Sequence, residues 1–229
     1  MFTEEDNVRD QTIDVENGQP PSGDAAEDRR RRRHARTQAE ILKAAREIML
    51  ESGIDGVTVR EVARRSDFSP AALYKYFDGR DDIMRALTME ALMRLQEALL
   101  TVPPDLRPDR RLLALGESYL RFARENPADL NVIIASARLA PLDPQGVEIG
   151  LAVVSALRNV LQEGVDRRIF RPLTPKQLAA TAFGLWSLVH GMATLTGANL
   201  ASMEDQIAED PHRAMQIFID GLRVPRADR

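Results

Sequence analysis

Cysteine is absent from the 229 residues, which excludes disulfide scaffolds, thiolate metal sites, cysteine nucleophiles and thiol redox sensing. Histidine is nearly absent: His34, His190 and His212 are the only three, far apart in sequence. A zinc-binding pair is therefore missing, and His190 reads as a packed, hydrogen-bonded side chain rather than a metal ligand. No phosphate loop, Rossmann fingerprint or nucleophile elbow occurs. The expectation is a protein that is not an enzyme and carries no cofactor. No stretch approaches the roughly 18 uninterrupted apolar residues of a membrane span. The N-terminus is acidic where a signal peptide would be basic and then apolar, so no membrane partner and a cytoplasmic location are expected. Alternating strand patterns are missing, as is any repeat with a solenoid period.

What is present is enough apolar sequence, 44%, to bury an ordinary core. The net charge of -4 hides a strong division along the chain. Residues 1–28 hold nine acids and one base, residues 29–80 hold thirteen bases and seven acids, and the remainder is nearly balanced. A basic block in an acidic protein points to one segment that meets a polyanion. Residues 1–28 have too few apolar side chains to offset ordering entropy and read as a disordered acidic tail. The run Arg29 to Arg33 reads as an arm for phosphates rather than bases.

From Thr37 onward the apolar period is helical. Ser69-Pro70, Asn126-Pro127, Asp143-Pro144, Thr174-Pro175 and Asp210-Pro211 each set a capping residue before a proline at the first helical position. With further starts near Thr37, Thr58, Gly79 and Pro108, about nine helices are expected by these signals. The fold class is all-α. Pro103-Pro104 and Pro108 mark the plausible joint between two units.

Ile41, Leu42, Ala45, Ile48 and Met49 share one helical face, and Gly53 supplies a stop. Thr58 and Glu61 have the spacing of a capping box, with Val57 and Val62 placed as a hydrophobic staple. A short helix from Val59 to Ser66 follows. Ser69 then caps the next helix, read as Pro70 to Phe77, with Phe68 and Leu73 as a second staple. Two short helices across a tight turn form a helix-turn-helix over residues 58–77. With Leu73 and Phe77 facing inward, Ala71 and Lys75 point outward. A small residue beside a long cation suits a major groove, where Lys donates to guanine O6 and N7.

Residues 37–84 resemble the TetR family of transcriptional regulators. The segments TQAEILKAAREIMLESG, TVREVARRS and LYKYFDGRDDIM look like its first, second and third-to-fourth helices. The resemblance implies phosphate contacts from Thr58, Tyr74, Tyr76 and Arg80, and base contacts from Lys75 and Ala71. Arg60 is a further backbone contact, and Ser69 belongs to the same DNA-binding set. Two departures stand out: Asp67 replaces a usual turn glycine, and Tyr76 a frequent histidine. An N-terminal three-helix DNA-binding domain, 29–84, and a C-terminal helical ligand-binding and dimerisation domain, 85–229, are implied.

The segment from Pro175 to Leu195 is apolar nearly all round, too much so for a monomer surface. The resemblance implies that it and the helix from Pro211 form a dimer interface. The expected partners are thus a second copy, double-stranded DNA with an inverted-repeat operator, and a small apolar or aromatic effector. The sensing pocket is expected among Tyr119, Phe122, Phe183, Trp186 and His190. The competing reading is an architectural DNA-binding protein without a ligand, which would lack a large specificity ratio.

Overall fold

The computed structural model describes residues 23–136, 144–197 and 211–224. The described residues form nine helices: α1 Gly23–Gly56, α2 Val59–Arg65, α3 Pro70–Leu73, α4 Arg80–Leu100, α5 Pro108–Glu125, α6 Pro127–Ser136, α7 Pro144–Asp166, α8 Pro175–Gly197 and α9 Pro211–Asp220. Among these residues there is no strand, only an isolated antiparallel bridge between Phe170 and Arg223.

All five proline-marked starts are helix starts, although Asp143 and Asp210 lie outside the described residues. At α8 the reason is visible: Thr174 Oγ1 accepts from the Gln177 amide while Gln177 Oε1 accepts from the Thr174 amide, a complete capping box. The first helix departs from expectation. It begins at Gly23 rather than near Thr37, so residues 23–28, read as part of the tail, are helical. The acids that made this segment look disordered suit a helix N-terminus, where Glu27 and Asp28 lie near the positive end of the dipole, and Asp28 pairs with Arg31 at 3.0 Å. The rest of the expected tail, residues 1–22, lies outside the described residues.

The chain divides after Thr37 into two units, and the larger comprises residues 38–229. Within it the apolar side chains gather in two clusters. The first buries the predicted face of α1, Ile41, Leu42, Ala45, Ile48 and Met49, with Val57, Val62, Leu73, Phe77, Ile83 and Leu87. The second joins Leu95, Tyr119, Phe122, Leu161, Leu185, Met215 and Ile219 from five helices with Phe170 from the connection between α7 and α8. One unbroken helix, α4, serves both: Ala91 belongs to the first cluster and Leu95 to the second. It crosses the expected boundary after residue 84 without a break. From α6, Val132 reaches back into the first cluster.

Gly53 has φ +71°, and the chain kinks there inside α1 before a last helical turn ends at Gly56. That left-handed conformation is where glycine is least strained.

A buried carboxylate closes the second cluster. Asp109 has no exposed surface, and it accepts from Arg107 at 2.7 and 2.8 Å and from Arg223 at 2.6 Å, tying the start of α5 to the end of α9. These guanidinium hydrogen bonds, that of Arg107 first and that of Arg223 against the opposing effect of burial, lower its pKa from the ordinary 3.8 to about 2. A depressed folded-state value stabilises the fold above the unfolded pKa and ceases to do so as pH falls through the folded one. About 2 kcal/mol should therefore be lost between roughly pH 4 and pH 2. Denaturant titrations across that range should show the loss in the native chain and a flatter limb in Asp109→Asn.

Candidate nucleic-acid interface

The helix-turn-helix is built by local hydrogen bonds. Thr58 Oγ1 accepts from the Glu61 amide at 3.2 Å and Ser69 Oγ from the Ala72 amide at 3.1 Å, so each starts its helix. Only half of the expected capping box at Thr58 forms. The Glu61 carboxylate turns instead to Arg64, at 2.9 and 2.5 Å, and the Arg64 hydrogen bond holds it below the usual carboxylate range. Between the helices Asp67 adopts φ +61°, the left-handed turn that Asp tolerates better than most residues. The Phe68 amide then donates to Ala63 O at 2.8 Å.

The second helix is tighter than expected. Regular α-helix spans Pro70–Leu73, and the chain continues through turns in which Lys75 donates to Ala72 O at 3.2 Å and Tyr76 to Leu73 O at 2.9 Å. Those i to i+3 bonds overwind the segment toward a 3₁₀ helix. Phe77 still donates to Leu73 O at 3.1 Å, and both side chains are buried.

Of the eight residues expected to contact DNA, six are exposed: Thr58, Arg60, Ser69, Ala71, Tyr74 and Lys75. The cap hydroxyls use a lone pair for their helices and retain a hydrogen to donate. Among the described residues no acid pairs with Arg60 or Lys75, whereas Arg64 is taken by Glu61 and Arg65 by Glu51. Tyr76 and Arg80 are half-buried. The Tyr76 ring meets Phe68 edge-on at 6.1 Å, and its carbonyl accepts from Gln38 at 3.3 Å. Arg80 donates to Val57 O at 2.8 Å and Ile54 O at 3.0 Å, bracing the start of α4 against the turn between α1 and α2. A structural duty of this kind is not visible in a motif, because its acceptors are main-chain atoms more than twenty residues away.

An apolar cavity of about 350 Å³ opens in the second cluster, between α4, α5, α7, α8 and α9. Gly116 lines it, and a Cβ there would overlap the Met215 sulfur. Tyr119 and Trp186 line it as well. The other three expected pocket residues, Phe122, Phe183 and His190, do not line it. His190 Nδ1 is 2.7 Å from Tyr119 Oη and its ring stacks on Trp186 at 4.9 Å. Burial lowers the His190 pKa and raises that of Tyr119, favouring a neutral imidazole. Phe122 is core, and Phe183 is 58% exposed with its ring 5.7 Å from Trp186. Among the described residues no group of three or more His, Asp or Glu could hold a metal.

A charged network that no local pattern announced lies between the cavity and the helix-turn-helix. Asp129 of α6, buried, accepts from Arg46 of α1 at 3.1 Å and from Arg94 of α4 at 2.7 and 2.8 Å, while Arg46 also donates to Glu90 at 2.6 Å. The partners are 83 and 35 residues from Asp129.

Comparison with known proteins gives the arrangement its context. The family model described as bacterial regulatory proteins, tetR family, matches residues 41–87, and a tetracyclin repressor-like C-terminal domain matches residues 112–222. The chain is 25% identical over 188 residues to the uncharacterized HTH-type transcriptional regulator YobS of Bacillus subtilis, an alignment covering 82% of this chain and 93% of YobS. A solved regulatory protein of the tetR family from Rhodococcus RHA1 superposes with TM-score 0.66 at 20% identity, over 82% of this chain and 98% of that one. AibR, solved in complex with isovaleryl coenzyme A and operator DNA, superposes with TM-score 0.62 at 16% identity, over 82% of this chain and 99% of its own. With its two matched regions spanning both the helix-turn-helix and the helices around the cavity, the chain belongs to the TetR family of transcriptional regulators.

Proposed function

We propose that this chain is an effector-responsive repressor that binds an inverted-repeat operator as a homodimer and releases it when a small apolar molecule fills the cavity. The observation that carries the reading is the surface of residues 58–75. Arg60 and Lys75, which no acid among the described residues pairs, small Ala71 and the donors Thr58, Ser69 and Tyr74 stand exposed over a buried Leu73 and Phe77. Lys75 and Ala71 face base edges, and the hydroxyls and Arg60 take phosphates. Arg80 and Tyr76 serve this surface chiefly by positioning it.

Two copies are needed to engage two half-sites. The segment Pro175–Leu195 is long and apolar enough to cross a membrane by composition, yet its Leu178, Ala182, Leu185, Val189 and Ala193 are buried in the core. Exposed Phe183 and Leu195 on α8, with Ile217 on α9, leave an apolar face for a second copy. The cytoplasm is the compartment in which such a protein meets its operator, and no catalytic role is assigned.

Coupling runs along α4, which contributes Gln96, Leu99 and Leu100 to the cavity, Arg94 to the Asp129 network, and Ile83 and Leu87 to the cluster beneath α3. A shift of α4 caused by cavity filling alters the spacing of the two recognition helices. About 1 to 3 kcal/mol of coupling gives a 5-to-150-fold change in operator affinity. AibR, with both an acyl thioester and operator DNA in its complex, supports the pairing of the two sites. Selection from random duplexes should return one inverted repeat, bound at least about 1,000-fold more tightly than scrambled DNA. Equal affinity for all duplexes would instead indicate architectural binding.

A further inference from the structure

Resting on the reading of the cavity as the sensing site, we infer that its effector is an elongated, apolar monocarboxylate whose carboxylate is held at Arg111. Arg111 is the one charged side chain among the described residues that line the cavity; nearly all the others are aliphatic or aromatic. It sits at one end. The cavity follows α5 from Arg111 to Tyr119, about 12 Å at the helical rise, with Gly116, Ala152 and Ala156 leaving room for a chain. At about 30 Å³ per non-hydrogen atom, its volume suits on the order of a dozen such atoms.

The charge at that end is not balanced. Arg111 donates to Glu163 and to Pro104 O, but the same Glu163 carboxylate also accepts from Arg167 at 2.9 Å. Two guanidinium groups thus share one carboxylate, leaving a net positive charge among the described residues beside an apolar space. Among the described residues, none offers a hydrogen-bond partner to the buried Arg111 Nε. A cation that shares its carboxylate and keeps an unused donor selects an anionic acceptor over a neutral or cationic one, because the competing ligand leaves the donor unpaired or adds like charge. A single carboxylate attached to an apolar chain satisfies both ends.

Calorimetry on the full chain with decanoate, 1-decanol and decylamine tests this, with thermal unfolding and operator binding recorded for every variant. Decanoate should bind at least tenfold more tightly than decanol, and decylamine should not bind. R111Q should reduce decanoate affinity to the level of decanol while leaving decanol unchanged. E163Q, which frees Arg111, should keep or tighten decanoate binding, and it decides the matter if R111Q fails to fold. Decanol matching decanoate, R111Q leaving decanoate affinity intact, or E163Q losing it tenfold overturns the carboxylate assignment while the sensing cavity stands. Should none of the three bind while operator DNA still does, the sensing role of the cavity falls with it.

Discussion

Asp129→Ala should destabilise the protein by about 3–5 kcal/mol, the range for removing one partner of a buried ion pair. The carboxylate is 3% exposed and faces two guanidinium groups. Its removal leaves Arg94 without its close acceptor and Arg46 with Glu90 alone. Denaturant midpoints measure the loss. The same experiment on Arg94→Ala and on the double variant should be strongly non-additive, because both substitutions break one network. A loss below about 1 kcal/mol would place Asp129 among ordinary surface pairs and remove it from the link between α1, α4 and α6.

The second large effect concerns assembly. Phe183→Glu combined with Ile217→Glu should yield monomers at micromolar concentration, since a carboxylate on each of α8 and α9 would have to be buried unpaired in a dimer. Both positions are more than half exposed in one chain, so the monomer should keep its helix content, with a melting temperature lowered by the stabilisation that dimerisation supplied. Operator affinity should fall by about 100-fold or more, because the second half-site is no longer bound at high effective concentration. Sedimentation equilibrium beside operator titration reads both quantities. A variant that remains dimeric would move the interface off this face.

Where the sequence could be read and where it could not follows a physical division. Helix starts were legible because capping is settled within three residues: Thr174 and Gln177 exchange bonds across one turn, and Ser69 needs only the Ala72 amide. The buried face of α1 and the inward Leu73 and Phe77 were legible because burial follows the helical period. The Gly23 start was missed because acidic composition outweighed the dipole argument that favours those acids at a helix N-terminus. Arg80 illustrates a deeper obstacle, since its head group spends two donors on carbonyls 23 and 26 residues away. The Asp129 network and the role of Arg111 depend on which helices the fold brings together. Of the five aromatic side chains expected at the pocket, two line it, because the lining is set by small and aliphatic residues on α5 and α7 that carry no local mark.

The most direct test of DNA reading by the segment from Pro70 to Phe77 is the titration of Lys75→Ala on its preferred inverted repeat and on scrambled duplexes, at several salt concentrations. Lys75 is exposed and without an acidic partner among the described residues. Its removal should weaken binding to the preferred site by about 1 to 3 kcal/mol and to scrambled DNA by less, narrowing the specificity ratio. Arg60→Ala, placed for phosphate, should weaken all duplexes alike and reduce the salt slope by about one. If Lys75→Ala binds every duplex as the native protein does, the segment from Pro70 to Phe77 does not read the operator.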